Sequence, residues 1–180
     1  EIQQAIETVA RYANVQLIDF HEPLYRYPFM LPDAVHPTVE GAGILAGVVY
    51  SAITGDYGGL RLSEIYSDNM VLQCGCPLDI HGVADAGEKV TVSIAGQTES
   101  AKAGANGKWA VCLKPLQPGG PHTLTVSTGK RRLHFENVLV GEVWLCSGQS
   151  NMEFMMKEGV DGKVDIPQSG NAGIRLFDMK

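Results

Sequence analysis

The spacing of apolar residues changes once along the chain, and this change separates a helical part from a β part. Apolar residues recur every three to four positions over residues 1–14, which predicts a helix, and a second helix is predicted from about Val39 to Thr54 with Thr38 as its cap. A short strand is predicted at residues 15–20, before a loop rich in aromatic residues and proline at 21–32. This order of elements is typical of the closing part of an α/β domain.

After Gly59 the apolar positions alternate with a period of two, which predicts about seven short strands. Asn106-Gly107 is a strong hairpin signal, and Thr128-Gly129-Lys130 is a second predicted hairpin turn. Strands of this length and spacing predict a mainly β fold, an antiparallel β-sandwich of the immunoglobulin-like or jelly-roll kind. Its predicted core consists of Val90, Val92, Ile94, Trp109, Val111, Leu124 and Val126.

A polar turn that ends at Ser150 follows a predicted buried strand at 143–146. In α/β enzymes a serine at the carboxyl end of a strand is a position for a nucleophile. An ordinary polar turn after a core strand explains the same residues. The spacing Gly-x-Ser-x-Met also differs from the Gly-x-Ser-x-Gly turn of the α/β-hydrolases. The pattern alone leaves both interpretations open.

Asp33 and His36 lie three residues apart, directly before Pro37 and the predicted second helix. At this spacing the carboxylate can orient the imidazole and stabilise its cation, which is the support that a serine-activating base needs. Alternatively, Asp33 caps backbone amides at the start of the helix and His36 is merely exposed. A metal site is not predicted, because no third ligand lies nearby.

Composition and charge limit the classes of partner. The chain has 180 residues, 44% of them hydrophobic and 19% charged, which is typical of a globular protein. Its formal net charge of -6 argues against a nucleic-acid partner, because phosphate binding needs a basic face. The longest apolar run, residues 44–53, is shorter than the roughly 20 residues of a membrane span. No signal peptide is visible, and both termini suggest a fragment of a longer protein.

Cysteine spacing does not match a zinc site, since a single residue separates Cys74 from Cys76. Three methionines after Ser150 are interpreted as gap-fillers around the serine turn. The remaining cysteines and both tryptophans fall in strand patterns and are predicted to be core residues. The methionines are Met152, Met155 and Met156, and the predicted core residues are Cys112, Cys146, Trp109 and Trp144.

Several blocks agree in order and spacing with one family. Residues 65–73, 82–92, 106–109 and 141–152 carry these blocks, and they resemble the sialate O-acetylesterase family over about residues 60–180. The resemblance implies a β-sandwich that precedes a catalytic domain of the SGNH-hydrolase type. It also implies that the serine of the Gly-Gln-Ser-Asn-Met motif, here Ser150, is the nucleophile.

Residues 1–56 separately resemble the last part of a GDSL/SGNH hydrolase. In that family an Asp-x-x-His-Pro motif supplies the acid and the base of the catalytic triad. The matching positions are Asp33 and His36.

The order of these parts allows two arrangements, because Asp33 and His36 precede Ser150 whereas a single hydrolase domain has the reverse order. One is a circularly permuted active site. The other, which we favour, is a junction of partial α/β hydrolase segments around the sandwich. Residues 1–56 then end one SGNH/GDSL domain, residues 60–142 form the sandwich, and residues 143–180 begin a second, truncated catalytic domain.

The resemblance implies a serine-dependent carboxylic ester hydrolase that removes O-acetyl groups from sugars, with no metal or organic cofactor. Its substrate would be an O-acetylated sugar, and a periplasmic or secreted location is expected from the family. The 180-residue chain alone is expected to be nearly inactive. The alternative is a non-catalytic β-sandwich that binds glycan or scaffolds a catalytic domain. Trp109 and Trp144 exposed on one face would favour glycan binding, and both buried would favour a scaffold.

Overall fold

The first 56 residues form helices joined by ordered loops. The computed structural model describes residues 2–25 and 27–177, leaving aside the side chains of residues 2, 3 and 153. Thr38 caps the long helix α3, because its Oγ1 accepts a hydrogen bond from the N–H of Gly41 at 3.1 Å, and Gly55 ends that helix with a φ of 73°. Both predicted helices are confirmed. The helices are α1 (Ile2–Ala13), α2 (Glu22–Tyr25), a 3-10 helix (Pro28–Met30) and α3 (Val39–Thr54).

Eight strands form two sheets in the middle of the chain. One sheet has the order β1-β3-β6 and the other β2-β8-β7-β4-β5. The strands are β1 (Arg61–Leu62), β2 (Val71–Gln73), β3 (Leu78–Val83), β4 (Lys89–Ile94), β5 (Gln97–Lys102), β6 (Lys108–Leu113), β7 (Gly119–Ser127) and β8 (Arg132–Gly141).

The expectation of purely antiparallel sheets is wrong at one pair of strands. β2 runs parallel to β8, with Val71 opposite Leu139, and the other pairs in the described residues are antiparallel. Parallel neighbours need a long connection between them. Here the connection consists of all the strands from β3 to β7, so the larger sheet is mixed.

Both sheets contribute to a single hydrophobic core. β4 and β6 bury every second residue, as the period of two predicts. Burying a valine, leucine or isoleucine side chain stabilises the folded state by about 1.5–3 kcal/mol relative to leaving it exposed. All seven predicted core residues are at most 4% exposed, so this prediction is confirmed. They are Val90, Val92, Ile94, Trp109, Val111, Leu124 and Val126.

The turns of the larger sheet follow standard hairpin geometry. β4 and β5 are joined by Ala95 and Gly96, whose φ angles of 49° and 79° define a turn with two left-handed residues. The turn at residues 128–130 joins β7 to β8, as predicted.

Asn106-Gly107 is not a hairpin turn, in contrast to its prediction. It joins β5 to β6, which lie in different sheets. Asn106 Oδ1 accepts a hydrogen bond from the N–H of Lys108 at 3.1 Å, and the ring of Tyr57 lies where a side chain on Gly107 would be. The Asn-Gly pair therefore forms a corner between sheets. Turn chemistry alone does not distinguish a corner from a hairpin.

Two predicted strands are absent. Residues 15–20 and residues 143–146 are irregular, and their apolar side chains are largely exposed. A buried strand of an α/β sheet needs a neighbouring strand and covering helices. Neither segment has a paired strand among the residues that the structure describes.

Several side chains predicted to be buried are exposed for related reasons. Trp144 is 81% exposed because it lies in the irregular segment, as does Cys146. Cys112 is exposed because it alternates along β6 with the inward-facing Trp109, Val111 and Leu113. The methionines interpreted as gap-fillers around the serine turn are more than half exposed, namely Met152, Met155 and Met156, and Met152 packs over Gly148 in that turn.

The helical segment contacts the sheets at one end. This end, called the proximal end, is formed by residues 84–87 and 104–108. The N–H of Ala86 donates to the carbonyl of Gly55 at 2.8 Å. Lys108 forms an ion pair with Glu22 at 2.7 Å, although both side chains are exposed. A surface ion pair of this kind adds little stability, so the junction depends on the other hydrogen bonds at this end, among them those from the N–H groups of Tyr57 and Gly59 to Asp85 Oδ1.

The chain leaves the sheets at the opposite end, called the distal end, formed by residues 73–76 and 141–142. β8 spans the two ends. Before its first residue, Lys130 lies 3.4 Å from Asp85 at the proximal end. At its last residue, the carbonyl of Gly141 accepts a hydrogen bond from Cys74 at 2.9 Å. Ten residues at about 3.3 Å per residue place the two ends roughly 30 Å apart.

Short helical turns follow the sheets: Ser150–Glu153, Met156–Glu158, α4 (Gly162–Asp165) and Ile166–Gln168. The side chain of Arg175 holds this part to the start of β2, because its guanidinium donates to the carbonyl of Met70 at 3.3 Å and to Asn137 Oδ1 at 3.0 Å. Among the described residues, no helix has the length and apolar character needed to cross a membrane.

Candidate active site

Asp33 and His36 form a hydrogen-bonded carboxylate–imidazole pair. Asp33 Oδ2 lies 2.7 Å from His36 Nδ1. Asp33 Oδ1 accepts hydrogen bonds from the N–H groups of His36 at 2.6 Å and Val35 at 3.0 Å. Because Nδ1 is engaged by the carboxylate, Nε2 is the ring nitrogen that can exchange a proton with another group. This is the orientation that a general base requires.

The loop that carries this pair is fixed to the start of α3. The N–H of Thr38 donates to the carbonyl of Met30 at 2.8 Å, and the N–H of Ala34 donates to that of Leu31 at 2.9 Å. Met30 is buried, and a Cβ on Gly41 would lie 3.2 Å from its carbonyl oxygen. A side chain at position 41 would therefore crowd Met30 and require it to shift by a few tenths of an ångström.

Hydrogen bonds keep Asp33 ionised. The pKa of Asp33 is lowered to about 2. The largest cause is the hydrogen bond from the backbone N–H of His36, followed by the bond to the His36 ring and the bond from the N–H of Val35. Both side chains are accessible, Asp33 at 56% and His36 at 81% exposure. One carboxylate thus caps the turn and also contacts the imidazole, so the geometry is compatible with both interpretations of this motif.

Ser150 occupies the first position of a short 3-10 helix and is exposed. The side chain of Met152 folds back over Gly148, where a Cβ would lie 2.7 Å from its Cγ. The described residues show no hydrogen bond from Ser150 to Asp33 or His36. The structure thus brings the two predicted partners Asp33 and His36 together, and it shows no bond that joins them to Ser150.

The backbone leading to Ser150 is held at the distal end by side chains that the sequence did not single out. The N–H of Val143 donates to Gln73 Oε1 at 2.9 Å, and Gln73 Nε2 donates to Glu142 Oε2 at 3.4 Å. Cys74 Sγ lies 3.5 Å from Glu142 Oε1. The two partners of each hydrogen bond are 68–70 residues apart in the chain, so no local sequence pattern could predict the contact.

Metal ligands and exposed tryptophans are two further features that could mark a site. Among residues 2–25 and 27–177, no three His, Cys, Asp or Glu side chains are grouped to hold a metal ion. Trp109 is 4% exposed and Trp144 is 81% exposed. The pair is therefore neither exposed on one face nor buried together, and it favours neither the glycan-binding nor the scaffold version of the alternative.

No protein-family model matches the chain. Its fold is similar to that of a carbohydrate acetylesterase from Xanthomonas citri, with a TM-score of 0.60 and 34% identity, over 62% of this chain and 26% of that one. The chain, with its two β-sheets, thus resembles part of a carbohydrate acetylesterase.

More specifically, the chain is similar to curated sialate O-acetylesterases. It is 35% identical to the enzyme of Rattus norvegicus over 135 residues, covering 67% of this chain and 24% of the relative. It is 36% identical to that of Mus musculus over 136 residues, covering 67% and 25%. The predicted resemblance to this family is confirmed over about two thirds of the chain, which spans about a quarter of the length of these relatives.

Proposed function

We propose that this chain is part of a carbohydrate esterase that hydrolyses O-acetyl esters on sugars, with O-acetylated sialic acids as the first candidates. The observation that carries the proposal is the similarity, at 34–36% identity, to proteins named for this activity. The Gly-Gln-Ser-Asn-Met motif around Ser150 supports it at the level of residues.

In the proposed mechanism Ser150 Oγ attacks the acetyl carbonyl carbon while a base removes the hydroxyl proton. The tetrahedral intermediate expels the sugar alcohol, which takes up a proton, and leaves an acetyl-serine. Water then releases acetate and regenerates the serine. The exposure of Ser150 at the start of its helical turn supports this role, because substrate can approach the hydroxyl.

Asp33 and His36 are proposed to be the acid and base of a different active site from that of Ser150. Their 2.7 Å contact supports the pairing. Their segment meets the sheets at the proximal end, whereas the backbone leading to Ser150 leaves from the distal end, which supports the separation. A circularly permuted single site is the competing arrangement.

This arrangement implies three parts. Residues 1–56 belong to one SGNH/GDSL hydrolase unit, residues 60–142 are a β-sandwich, and residues 143–180 begin a second unit, of which 178–180 lie outside the described residues. The finer assignment of the sandwich to an immunoglobulin-like or jelly-roll type belongs to the same proposal.

A fluorophosphonate probe tests the separation of the two sites. Incubated with the 180-residue chain, it is expected to leave Ser150 essentially unlabelled, because a serine without a base is a weak nucleophile. Labelling is measured by peptide mass spectrometry, with Ser150→Ala and His36→Ala as variants. Labelling of Ser150 that is lost in His36→Ala would overturn the junction in favour of a permuted or intermolecular site.

The substrate class is tested on the natural protein that contains this chain. Release of acetate from an O-acetylated sialic acid should fall by at least about a thousandfold in Ser150→Ala. Ser147→Ala, in the same polar turn, is the matched control and should retain activity. Equal activity of the wild-type protein and Ser150→Ala would remove Ser150 as the nucleophile.

A further inference from the structure

Two thiols lie on one tight turn at the distal end, where Cys74-Gly75-Cys76 connects β2 to β3. The turn is fixed by the N–H of Cys74, which donates to the carbonyl of Gly141 at 2.9 Å, and by the N–H of Gly75, which donates to that of Leu116 at 3.0 Å. Gly75 has a φ of 72°, and a Cβ there would meet no atom within 4 Å. The outer side of the turn is therefore open.

The spacing of the two cysteines allows a bond between their sulfur atoms. Cα atoms two positions apart are at most about 7 Å from each other, and a left-handed residue between them shortens this separation. Disulfides need Cα atoms about 4.4–6.8 Å apart. Both thiols are free in the structure.

The two thiols differ in their surroundings. Cys76 is exposed, whereas Cys74 is partly buried against the core and its Sγ lies 3.5 Å from Glu142 Oε1. The pKa of the Cys74 thiol is raised, mainly by burial and next by the hydrogen bond to Glu142. Cys76 is thus the accessible nucleophile, and Cys74 is the thiol that acts second.

We propose that Cys74 and Cys76 form a thiol–disulfide exchange site for small-molecule disulfides of the glutathione class. The Cys76 thiolate attacks one sulfur of the small disulfide, forming a mixed disulfide and releasing one thiol. Cys74 then attacks Cys76 Sγ and releases the second thiol, while its proton passes by way of Glu142 to solvent. The protein dithiol is oxidised to an internal disulfide, and the small disulfide is reduced to two thiols.

The reaction changes the anchor of the segment that leads to Ser150. In the reduced state Glu142 is held by the Cys74 thiol and by Gln73, and Gln73 also accepts the N–H of Val143. Formation of the disulfide removes the Cys74 donor from Glu142. Oxidation therefore loosens residues 142–143 at the point where the chain leaves the sheets.

The test uses the full chain, first reduced, then incubated with glutathione disulfide, quenched in acid and alkylated. Tryptic digestion places the four cysteines on three peptides, residues 62–89, 109–130 and 133–157. The 62–89 peptide is expected to lose two hydrogens and to take up no alkylating agent. The exposed single thiol of Cys112, on its own peptide, is the internal control and can form no loop within its peptide.

Two variants separate the steps. Cys74→Ser should retain a mixed disulfide on Cys76, and Cys76→Ser should react with glutathione disulfide at least about tenfold more slowly at Cys74. A wild-type chain that carries only a mixed disulfide, or that does not react on the 62–89 peptide, would overturn the proposal. Hydrogen exchange at the Val143 amide should accelerate on oxidation of the wild type but not of Cys76→Ser, and unchanged exchange would overturn the loosening of the anchor.

Discussion

The side chain of Asp33 determines both the shape of its turn and the orientation of the His36 ring. One of its oxygens accepts two backbone N–H groups and so shapes the turn, while the other orients the ring of His36. The spacing of three residues was sufficient to predict this contact, because a turn brings residues i and i+3 together. The position of His36 is therefore set by local backbone geometry and does not depend on distant parts of the chain.

The titration of Asp33 tests this account. Because hydrogen bonds stabilise its carboxylate, carboxyl NMR should give a midpoint of about 2, below the ordinary value of 3.8. In His36→Ala the midpoint should rise only part of the way, since the backbone N–H of residue 36, the largest cause of the shift, remains. A full return to 3.8 would show that the ring, and not the backbone, holds the carboxylate.

Among the elements, those with local signals were predicted from sequence and those that depend on other layers were not. The cap of α3 at Thr38 and the alternating core of β4 and β6 need only neighbouring residues to specify them. Residues 143–146 carry the composition of a buried strand, yet burial requires a partner strand that the described residues do not supply. The Asn106-Gly107 corner likewise depends on which sheet receives the next strand.

The turn between β4 and β5 can be stabilised by one substitution. Ala95 has a φ of 49°, a left-handed conformation that a residue with a Cβ adopts at a cost. Ala95→Gly should raise the free energy of unfolding by about 0.5–1 kcal/mol, measured by urea denaturation.

An alanine-to-glycine substitution should have the opposite effect on the free energy of unfolding when it lies in an extended strand. Ala110 is exposed in the middle of β6, opposite His81. Ala110→Gly should lower the free energy of unfolding by about 0.5–1 kcal/mol, since glycine adds flexibility there without relieving strain. Equal effects of the two substitutions would contradict the assigned turn geometry.

For the whole molecule, Asp85 holds residues 57–59, which directly follow the helical segment, to the sheets. Its Oδ1 accepts the N–H groups of Tyr57 and Gly59, each at 3.0 Å, and its Oδ2 lies 3.4 Å from Lys130. These contacts, with the N–H of Gly59 as the largest cause, lower the pKa of Asp85 below its ordinary value of 3.8. The proximal junction is therefore built on an ionised carboxylate.

This junction should make stability depend on pH. A carboxyl whose pKa is lower in the folded than in the unfolded chain contributes stability above 3.8, and this contribution is lost as the pH falls through the lower folded value. Asp85→Asn should therefore destabilise the chain at about pH 6 and have a smaller effect at about pH 3, measured by urea unfolding.

Glu99→Gln, on the exposed edge strand β5, controls for the loss of one charge. It should leave the free energy of unfolding within about 0.5 kcal/mol of the wild-type value at both pH values. An effect of Asp85→Asn that is the same at both pH values would argue that the carboxylate charge is not what holds the junction.

The placement of β8 between the two ends of the sheets has a mechanical consequence. Its last residue, Gly141, leads to the part of the chain that carries Ser150, and β8 is hydrogen-bonded to β2 on one side and to β7 on the other. If the two flanking segments are pulled apart, β8 is drawn along its own axis. Its hydrogen bonds on both sides are then loaded together in shear and do not open one after another. The sheets should therefore resist tension along the chain as one mechanical unit.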